Sequence, residues 1–305
     1  MDVSNPDKVM FPDIGLTKAE LVAHHRQVGE EMLRFLARSP LTLERYPDGI
    51  ASSGFRQKNA SSHFPEVIGR VEIPKRGGTT LYPTVESVEG IIYLVNQGTI
   101  TFHPWTSALP DLERPGFLVL DLDPEEGDLD GVRSVARSTR RVLDRFELPS
   151  TPVASGSKGF HIWVTLSGEH DFEAVGIAAR ALAGLVALED GRATIEFQRA
   201  NRDGRVFVDW LRNGRAQTIA CPFGVRAKPG APVATPLPWD AVGDTAPDRW
   251  RVRNFGDRPP VEFAGSADLP VDAIIARAKD GGVDLESAFD RFGRAEGGYA
   301  SGGGR

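Results

Sequence analysis

Two aspartates close an apolar run at Phe117-Leu118-Val119-Leu120-Asp121-Leu122-Asp123-Pro124. Side chains two apart in an extended strand share a face, so Asp121 and Asp123 would stand side by side at the end of a buried strand. Like charges placed together on a core element are costly unless something positive neutralises them. Hard carboxylate oxygens make a divalent cation the economical answer. A third strand-borne acid, Asp209, ends the run Val206-Phe207-Val208-Asp209. If the two strands are neighbours, three carboxylates converge, enough to hold two divalent ions. Two ions about 3.5–4 Å apart stabilise both the attacking and the leaving oxygen of a phosphoryl displacement. The plainer use of Asp209 is as a surface acid or an arginine partner.

Around these acids lie residues suited to phosphate. Ser155-Gly156-Ser157-Lys158-Gly159 sits between strand-like segments, with His161 just beyond. It lacks the Walker spacing and a strand follows it, so it is no P-loop. Small residues with free backbone N–H groups and a lysine nevertheless make a nest for a triphosphate; a bland turn is the alternative. Lys8 and Lys18, with Asn5 nearby and Lys18 at a helix start, form a second candidate anion site, unless both lysines are simply solvated. Phe55-Arg56-Gln57-Lys58-Asn59 mixes an aromatic ring with cations and amides, a combination that stacks on a base while holding phosphate. His103 in His103-Pro104-Trp105 follows a strand-like run and could reach the same site.

The elements that must position these groups follow from periodicity. Thr17-Lys18-Ala19-Glu20 has the form of a capping box and opens a helix to about residue 38. Strands are expected at Leu41–Arg45, at 160–166 and at 205–210, and a hairpin of 91–95 with 99–102 around Gln97-Gly98. Helices are expected at about 132–146 and 172–188, a short strand at 195–198, an extended wrapping segment over 229–262 and a last helix at about 270–291. Elements in this order give an α/β or α+β class. The chain has 305 residues, 40% hydrophobic and 26% charged, the balance of an ordinary globular protein. No apolar run approaches the ~18 residues of a membrane span. With one cysteine, Cys221, no internal disulfide can form, and a reducing cytoplasm is expected. The start, Met1-Asp2-Val3-Ser4-Asn5-Pro6, lacks the marks of a secretory signal. The net charge of −6 argues against a nucleic-acid binder, but its distribution does not: residues 196–228 carry seven basic side chains against three acidic ones.

Taken together, these stretches resemble the polymerase domain of bacterial end-joining ligase D, in the archaeo-eukaryotic primase superfamily. The resemblance rests on Asn5-Pro6-Asp7-Lys8-Val9, Thr17-Lys18, Phe55-Arg56-Gln57-Lys58, Gly78-Thr79-Thr80-Leu81-Tyr82-Pro83, His103-Pro104-Trp105, Leu120-Asp121-Leu122-Asp123-Pro124, Ser155 to His161 and Val206 to Trp210, in the family's order across roughly residues 3–290. It implies that Asp121, Asp123 and Asp209 are catalytic metal ligands, served by manganese or magnesium. It places Ser155, Ser157, Lys158, His161, Arg202 and Arg226, with His103, around an incoming nucleotide. It assigns Asn5, Lys8 and Lys18 to a DNA 5′-phosphate, and Phe55 and Lys58 to the template. Many relatives carry two adjacent aromatics where this chain has Phe55-Arg56, so template handling is expected to involve the Arg56 guanidinium, which can stack or pair with phosphate.

The expectation is therefore a primase-polymerase fold: a central, mainly antiparallel sheet with flanking helices and an N-terminal α/β subdomain. One catalytic domain would span 1–292, divided into an N-terminal subdomain at about 1–100, a catalytic module at about 101–228 and a wrapping segment at about 229–292, before a disordered tail at 293–305. The expected function is template-directed addition of nucleotides, preferably ribonucleotides, at gaps or breaks in DNA repair. The partners would be gapped or broken DNA with a 5′-phosphate, nucleoside triphosphates, and a separate ligase or end-binding protein, with no membrane. A monomer in the bacterial cytoplasm, at the nucleoid, is expected, as a stand-alone relative or an isolated domain. A metal-dependent nuclease built on the same acids and a non-catalytic module for 5′-phosphorylated ends are the alternatives.

Overall fold

The computed structural model describes residues 2–75 and 77–286. The chain enters through a clip of two short strands, β1 (Val9–Phe11) against β2 (Leu16–Thr17), within a stretch that reads from sequence as loop. Helix α1 (Lys18–Leu36) starts at Thr17, whose hydroxyl accepts from the Glu20 N–H while the Glu20 carboxylate accepts from the Thr17 N–H. This is the reciprocal cap that Thr-x-x-Glu predicts. The helix buries Leu21, Val28, Met32 and Leu36 against the core.

Next come β3 (Leu41–Arg45) and β4 (Phe55–Gln57), then a hairpin of β5 (Ile68–Lys75) with β6 (Gly78–Val85). Residues 91–95, read from sequence as a strand, instead lie in helix α2 (Val88–Asn96). Ser87 caps that helix through the Gly90 N–H, and a short apolar run buried on most sides carries no periodicity that separates helix from strand. Strand β7 (Thr99–Pro104) completes a three-stranded sheet in the order β4-β3-β7.

The second sheet has six strands. Its elements are β8 (Phe117–Asp123), α3 (Leu129–Asp144), β9 (Ser150–Ala154), β10 (Phe160–Thr165), α4 (Phe172–Glu189), β11 (Ala193–Thr194), β12 (Val206–Asp209) and β13 (Thr235–Pro236). The order is β11-β12-β8-β10-β9-β13, and every pairing except β11 with β12 is antiparallel. The strand expected at 195–198 is thus shorter and earlier than its apolar residues suggest.

Strand β8 is central, and Leu118, Val119, Leu120 and Leu122 have no exposed surface. Full burial of such a side chain is worth about 1.5–3 kcal/mol. Four of them anchor the strand firmly enough to carry two half-buried carboxylates at its end. Helices α3 and α4 pack on the sheet and on each other. The opposite face, which carries Val119, Asp121, His161 and Trp163 in register, turns toward α1, where the Phe35 ring packs edge-on against Trp163.

Residues 229–262 wrap the molecule as the proline content predicts, with only β13 and two 3-10 turns, Trp239–Gly243 and Val252–Asp257. Their backbone ties together distant parts: Gly156 N–H donates to Pro247 C=O, Leu237 N–H to Pro152 C=O, and Gly230 N–H to the Asp13 carboxylate. Helix α5 (Val271–Asp280) packs on α4. The expected end of that helix beyond 286 and the tail at 293–305 lie outside the described residues. Among the described residues no helix is long and apolar enough to cross a membrane.

Candidate active site

The antiparallel pairing of β12 with β8 sets Asp209 directly opposite Asp121, and the pairing of β10 with β8 sets His161 opposite Asp121 on the other side. Three ionisable groups therefore form one row across the sheet, with Asp123 two residues further along β8. Like charges directly opposed on a sheet are destabilising, and the chain answers with cations. The Arg212 Nε stands 3.1 Å from Asp209 and 3.6 Å from Asp121. Lys158 Nζ is 2.9 Å from one oxygen of Asp123 and Arg202 Nη1 is 3.4 Å from the other.

The acids are open to solvent to different degrees: the side chains of Asp123, Asp121 and Asp209 are 35%, 20% and 10% exposed. Burial pushes the Asp209 carboxyl up to about 6, opposed by Arg212 and reinforced by Asp121. Burial likewise raises Asp121, against Arg212. His161 is driven well below the usual histidine range by burial, with Arg226 and Arg212 adding to it, and so stands neutral 3.6 Å from Asp121.

Could these residues hold a metal? Their oxygens are all hard carboxylate donors, the set that suits magnesium or manganese rather than a thiophilic ion. They line an edge that solvent reaches. Among the described residues no three His, Cys, Asp or Glu side chains are already drawn into a metal-holding group. Arg212, Lys158 and Arg202 lie against the carboxylate oxygens. A guanidinium bridging two carboxylates marks a place where positive charge is stabilised, and in that sense the donor set fits.

The turn between β9 and β10 lies beside Asp123. Ser155 N–H donates to Gly159 C=O, and Ser157 N–H donates to the Ser155 hydroxyl. Gly156 has φ +66, and a methyl group there would come within 2.8 Å of Arg226 Cγ and 3.2 Å of the Val233 backbone. At Gly159 a methyl group would overlap the Leu122 carbonyl oxygen. Gly159 lets the turn sit this close to β8, and Gly156 lets it sit against Arg226 and the Val233 backbone. Arg226 braces it by donating from Nη1 to Ser155 C=O at 2.5 Å, and Lys228 donates to the Ser157 hydroxyl at 2.5 Å. Lys158, Arg226 and Lys228 thus surround a cradle of small residues.

His103 on β7 lies 3.4 Å from the Glu44 carboxylate and within electrostatic reach of Arg226 and His161. Burial holds it below its ordinary range, opposed by Glu44, and Arg226 and Arg56 lower it further. Arg56 lies opposite Glu44 in the β3–β4 pairing. The Phe55 ring is 49% exposed with the Arg45 guanidinium 5.3 Å over it, and Lys58 is exposed. The fold therefore gathers Asp121, Asp123, Asp209, Ser155, Ser157, Lys158, His161, Arg202, Arg226 and His103 near the end of β8, with Phe55, Arg56 and Lys58 on the neighbouring sheet.

Asn5, Lys8 and Lys18 form a cluster of their own at the start of α1. Lys8 donates to Pro47 C=O at 2.9 Å and pairs with Asp48 at 2.7 Å. Lys18, 5% exposed, donates to the Ser4 hydroxyl at 3.1 Å and Asn96 C=O at 3.0 Å. Burial and then Lys8 hold its ammonium below the usual lysine range. Asn5, exposed and at φ 48, turns the chain so that its carbonyl accepts from the Lys8 N–H.

Sequence reasoning missed Arg212, Lys228 and Glu44. The two cations stood in the basic run at 196–228, but nothing in their spacing singled them out. Glu44 belongs to the cleft only because β3 pairs with β7.

Residues 17–260 match the family model described as LigD, primase-polymerase domain. The chain is 30% identical over 275 residues to the multifunctional non-homologous end joining protein LigD of Mycolicibacterium smegmatis, covering 89% of this chain and 36% of that protein. It is 31% identical over 258 residues to the corresponding DNA repair protein of Mycobacterium tuberculosis, covering 80% and 34%. To the bifunctional non-homologous end joining protein LigD of Bacillus subtilis it is 30% identical over 244 residues, covering 77% and 38%. The chain spans roughly a third of the length of these curated relatives. Among solved structures, the polymerase domain from M. tuberculosis ligase D in complex with DNA matches with a TM-score of 0.76 at 27% identity, over 97% of this chain and 98% of that one.

Proposed function

The chain belongs to the LigD primase-polymerase family, a family of nucleotidyltransferases, and on that footing we propose that it adds nucleotides to a DNA primer under template direction, filling short gaps and break ends in non-homologous end joining. The observation that carries the reading is the cross-strand placement of Asp209 against Asp121, with Asp123 and the Ser155–Gly159 cradle immediately beside it. The DNA-bound relative supports DNA as the polymer.

In this reading Asp121, Asp123 and Asp209 hold two divalent ions, Mn2+ or Mg2+. Such ions would supply activation of the primer 3′-hydroxyl and charge neutralisation on the transferred phosphate and departing pyrophosphate. The chain itself positions and neutralises. The Ser155–Gly159 turn, with Lys158, Arg226 and Lys228, receives the triphosphate. Neutral His161 and His103 line its inner wall, and Glu44 fixes the His103 ring. Arg212 compensates Asp121 and Asp209, and Arg202, paired with Asp123, also lines the nucleotide pocket. Phe55, with Arg56 and Lys58, stacks on and steadies the template. Asn5, Lys8 and Lys18 take the 5′-phosphate across the gap. Ribonucleotides are the preferred substrate, and residues 1–292 act as one catalytic domain, with subdivisions near 100 and 228. A ligase or an end-binding protein would complete the repair.

Primer extension on singly gapped DNA tests this. The wild-type protein should extend with a divalent ion present, faster with ribo- than deoxynucleotides and faster with a downstream 5′-phosphate than a 5′-hydroxyl. Asp123→Ala should lose extension and keep DNA binding. Extension by Asp123→Ala at the wild-type rate would sink the assignment of the acids.

A further inference from the structure

We propose that Phe197 is a stacking platform for the terminal base of the primer strand, an inference that rests on the polymerase reading above and adds a residue to it. Among the described residues Phe197 is the most exposed large hydrophobic side chain, at 67%. Apart from Phe55 the other exposed ones are aliphatic. A phenyl ring left in water has no packing role, so its position decides what it can do.

That position is set by Arg202. Phe197 lies in the loop between β11 and β12, and Arg202 donates from Nη2 to Phe197 C=O and from Nε to Glu196 C=O, each at 3.0 Å. The same guanidinium stacks 4.0 Å over the Phe207 ring and reaches Asp123. On the loop's other side Arg199 pairs with Glu125 at 2.8 Å, just past the end of β8. The loop carrying Phe197 is therefore fastened to the acid centre from both sides rather than hanging free.

Asp123 separates two territories. One carboxylate oxygen faces Lys158 and the triphosphate cradle, while the other faces Arg202 and the Phe197 loop. Phosphoryl transfer needs the attacking and leaving oxygens roughly in line. On this proposal pyrophosphate leaves on the cradle side and the 3′-hydroxyl arrives from the loop side, with Arg202 at the boundary between them. An exposed aromatic ring there meets a nucleobase face, and such stacking tolerates any base. Phe55, on the separate three-stranded sheet, remains available to the template.

The test uses the full chain on gapped DNA with ATP as the nucleotide. Phe197→Ala should weaken DNA binding by fluorescence anisotropy and raise the KM for primer about tenfold, with the KM for ATP changed less than twofold and the melting temperature unaltered. Phe197→Trp should restore both. On a primer ending in an abasic nucleotide, wild type and Phe197→Ala should bind equally. The proposal fails if Phe197→Ala matches wild type on the intact primer, or if the loss falls on the KM for ATP, which would put the ring against the incoming base. A wild-type protein that adds no nucleotide at all overturns the polymerase reading itself and the proposal with it.

Discussion

The acid centre on the six-stranded sheet and the first turns of α1 both bury ionisable groups, yet they handle them in opposite ways. At the acid centre three carboxylates are kept beside four cationic or polar partners, Lys158, His161, Arg202 and Arg212. In α1 the buried groups have no opposite charge among the described residues: there Lys18 meets a hydroxyl and a carbonyl, while His24 and His25 face one backbone carbonyl each. Compensation by long, flexible side chains can be exchanged for a ligand. Neutral or dipole-only burial cannot, unless an anion of matching size arrives, and only Lys18, with Lys8 beside it, is placed for one. On the proposed reading, the contrast separates charges kept for chemistry from ionisable groups kept for packing.

The largest effect should come from breaking the first arrangement. Asp209→Asn should reduce nucleotide addition about 10³-fold or more, because a buried ligand and its charge are lost together. In metal-free buffer at pH 7 the same variant should melt no lower than wild type. Burial raises the Asp209 carboxyl to about 6, which means that holding it ionised in the fold costs stability that asparagine does not. A calorimetric scan beside the extension assay reads both outcomes, and a large drop in melting temperature would show that Asp209 is there for structure.

Next in size is Gly159→Ala, which forces the Ser155–Gly159 turn away from β8, since the added methyl group meets the Leu122 carbonyl oxygen. Overpacking of this kind costs about 1–3 kcal/mol. The KM for nucleotide should rise with the fall in urea midpoint, whereas Gly127→Ala, a positive-φ glycine with open space around it, should leave the nucleotide KM unchanged.

Smaller again, Lys18→Met should erase about tenfold of the preference for a downstream 5′-phosphate over a 5′-hydroxyl, the size of a lost charge-assisted hydrogen bond. It should also raise the melting temperature, because burial already disfavours the ammonium. A preference untouched by Lys18→Met would move that lysine from the ligand-ready class to the packing class.

These contrasts also mark how far the sequence could be read. The acids at 121, 123 and 209 were legible because period-2 alternation puts a charge at the end of an apolar run, and strand pairing needs only that the runs be neighbours. The α1 cap was legible because its residues are local. Residues 91–95 were not, since an apolar run of that length suits a helix as well as a strand and Ser87 decides it. Arg212 was hidden for another reason: its role comes from a 3-10 turn, Leu211–Asn213, that swings it back over the acids three residues after Asp209. Glu44 was hidden because its partner lies 59 residues away.

The smallest effect concerns the histidines and tests the packing half of the contrast. Burial lowers His24 to about 3 and His25 to about 4, both far below the 6.5 of a solvated histidine. The folded state thus prefers the neutral rings. Below pH 6.5 the unfolded chain binds protons that the folded chain refuses, so stability is full above that value and falls as pH drops toward the folded values. Each histidine contributes at most about 1.4 kcal/mol per pH unit across that window. His24→Phe, which keeps a ring against Phe255, should flatten the decline of melting temperature between pH 6.5 and 4.5 and leave 5′-phosphate preference unchanged. If the slope persisted in the variant, the acid sensitivity would have to be sought at His25 or at the carboxylates, and the division between working and packed charges in this chain would need redrawing around them.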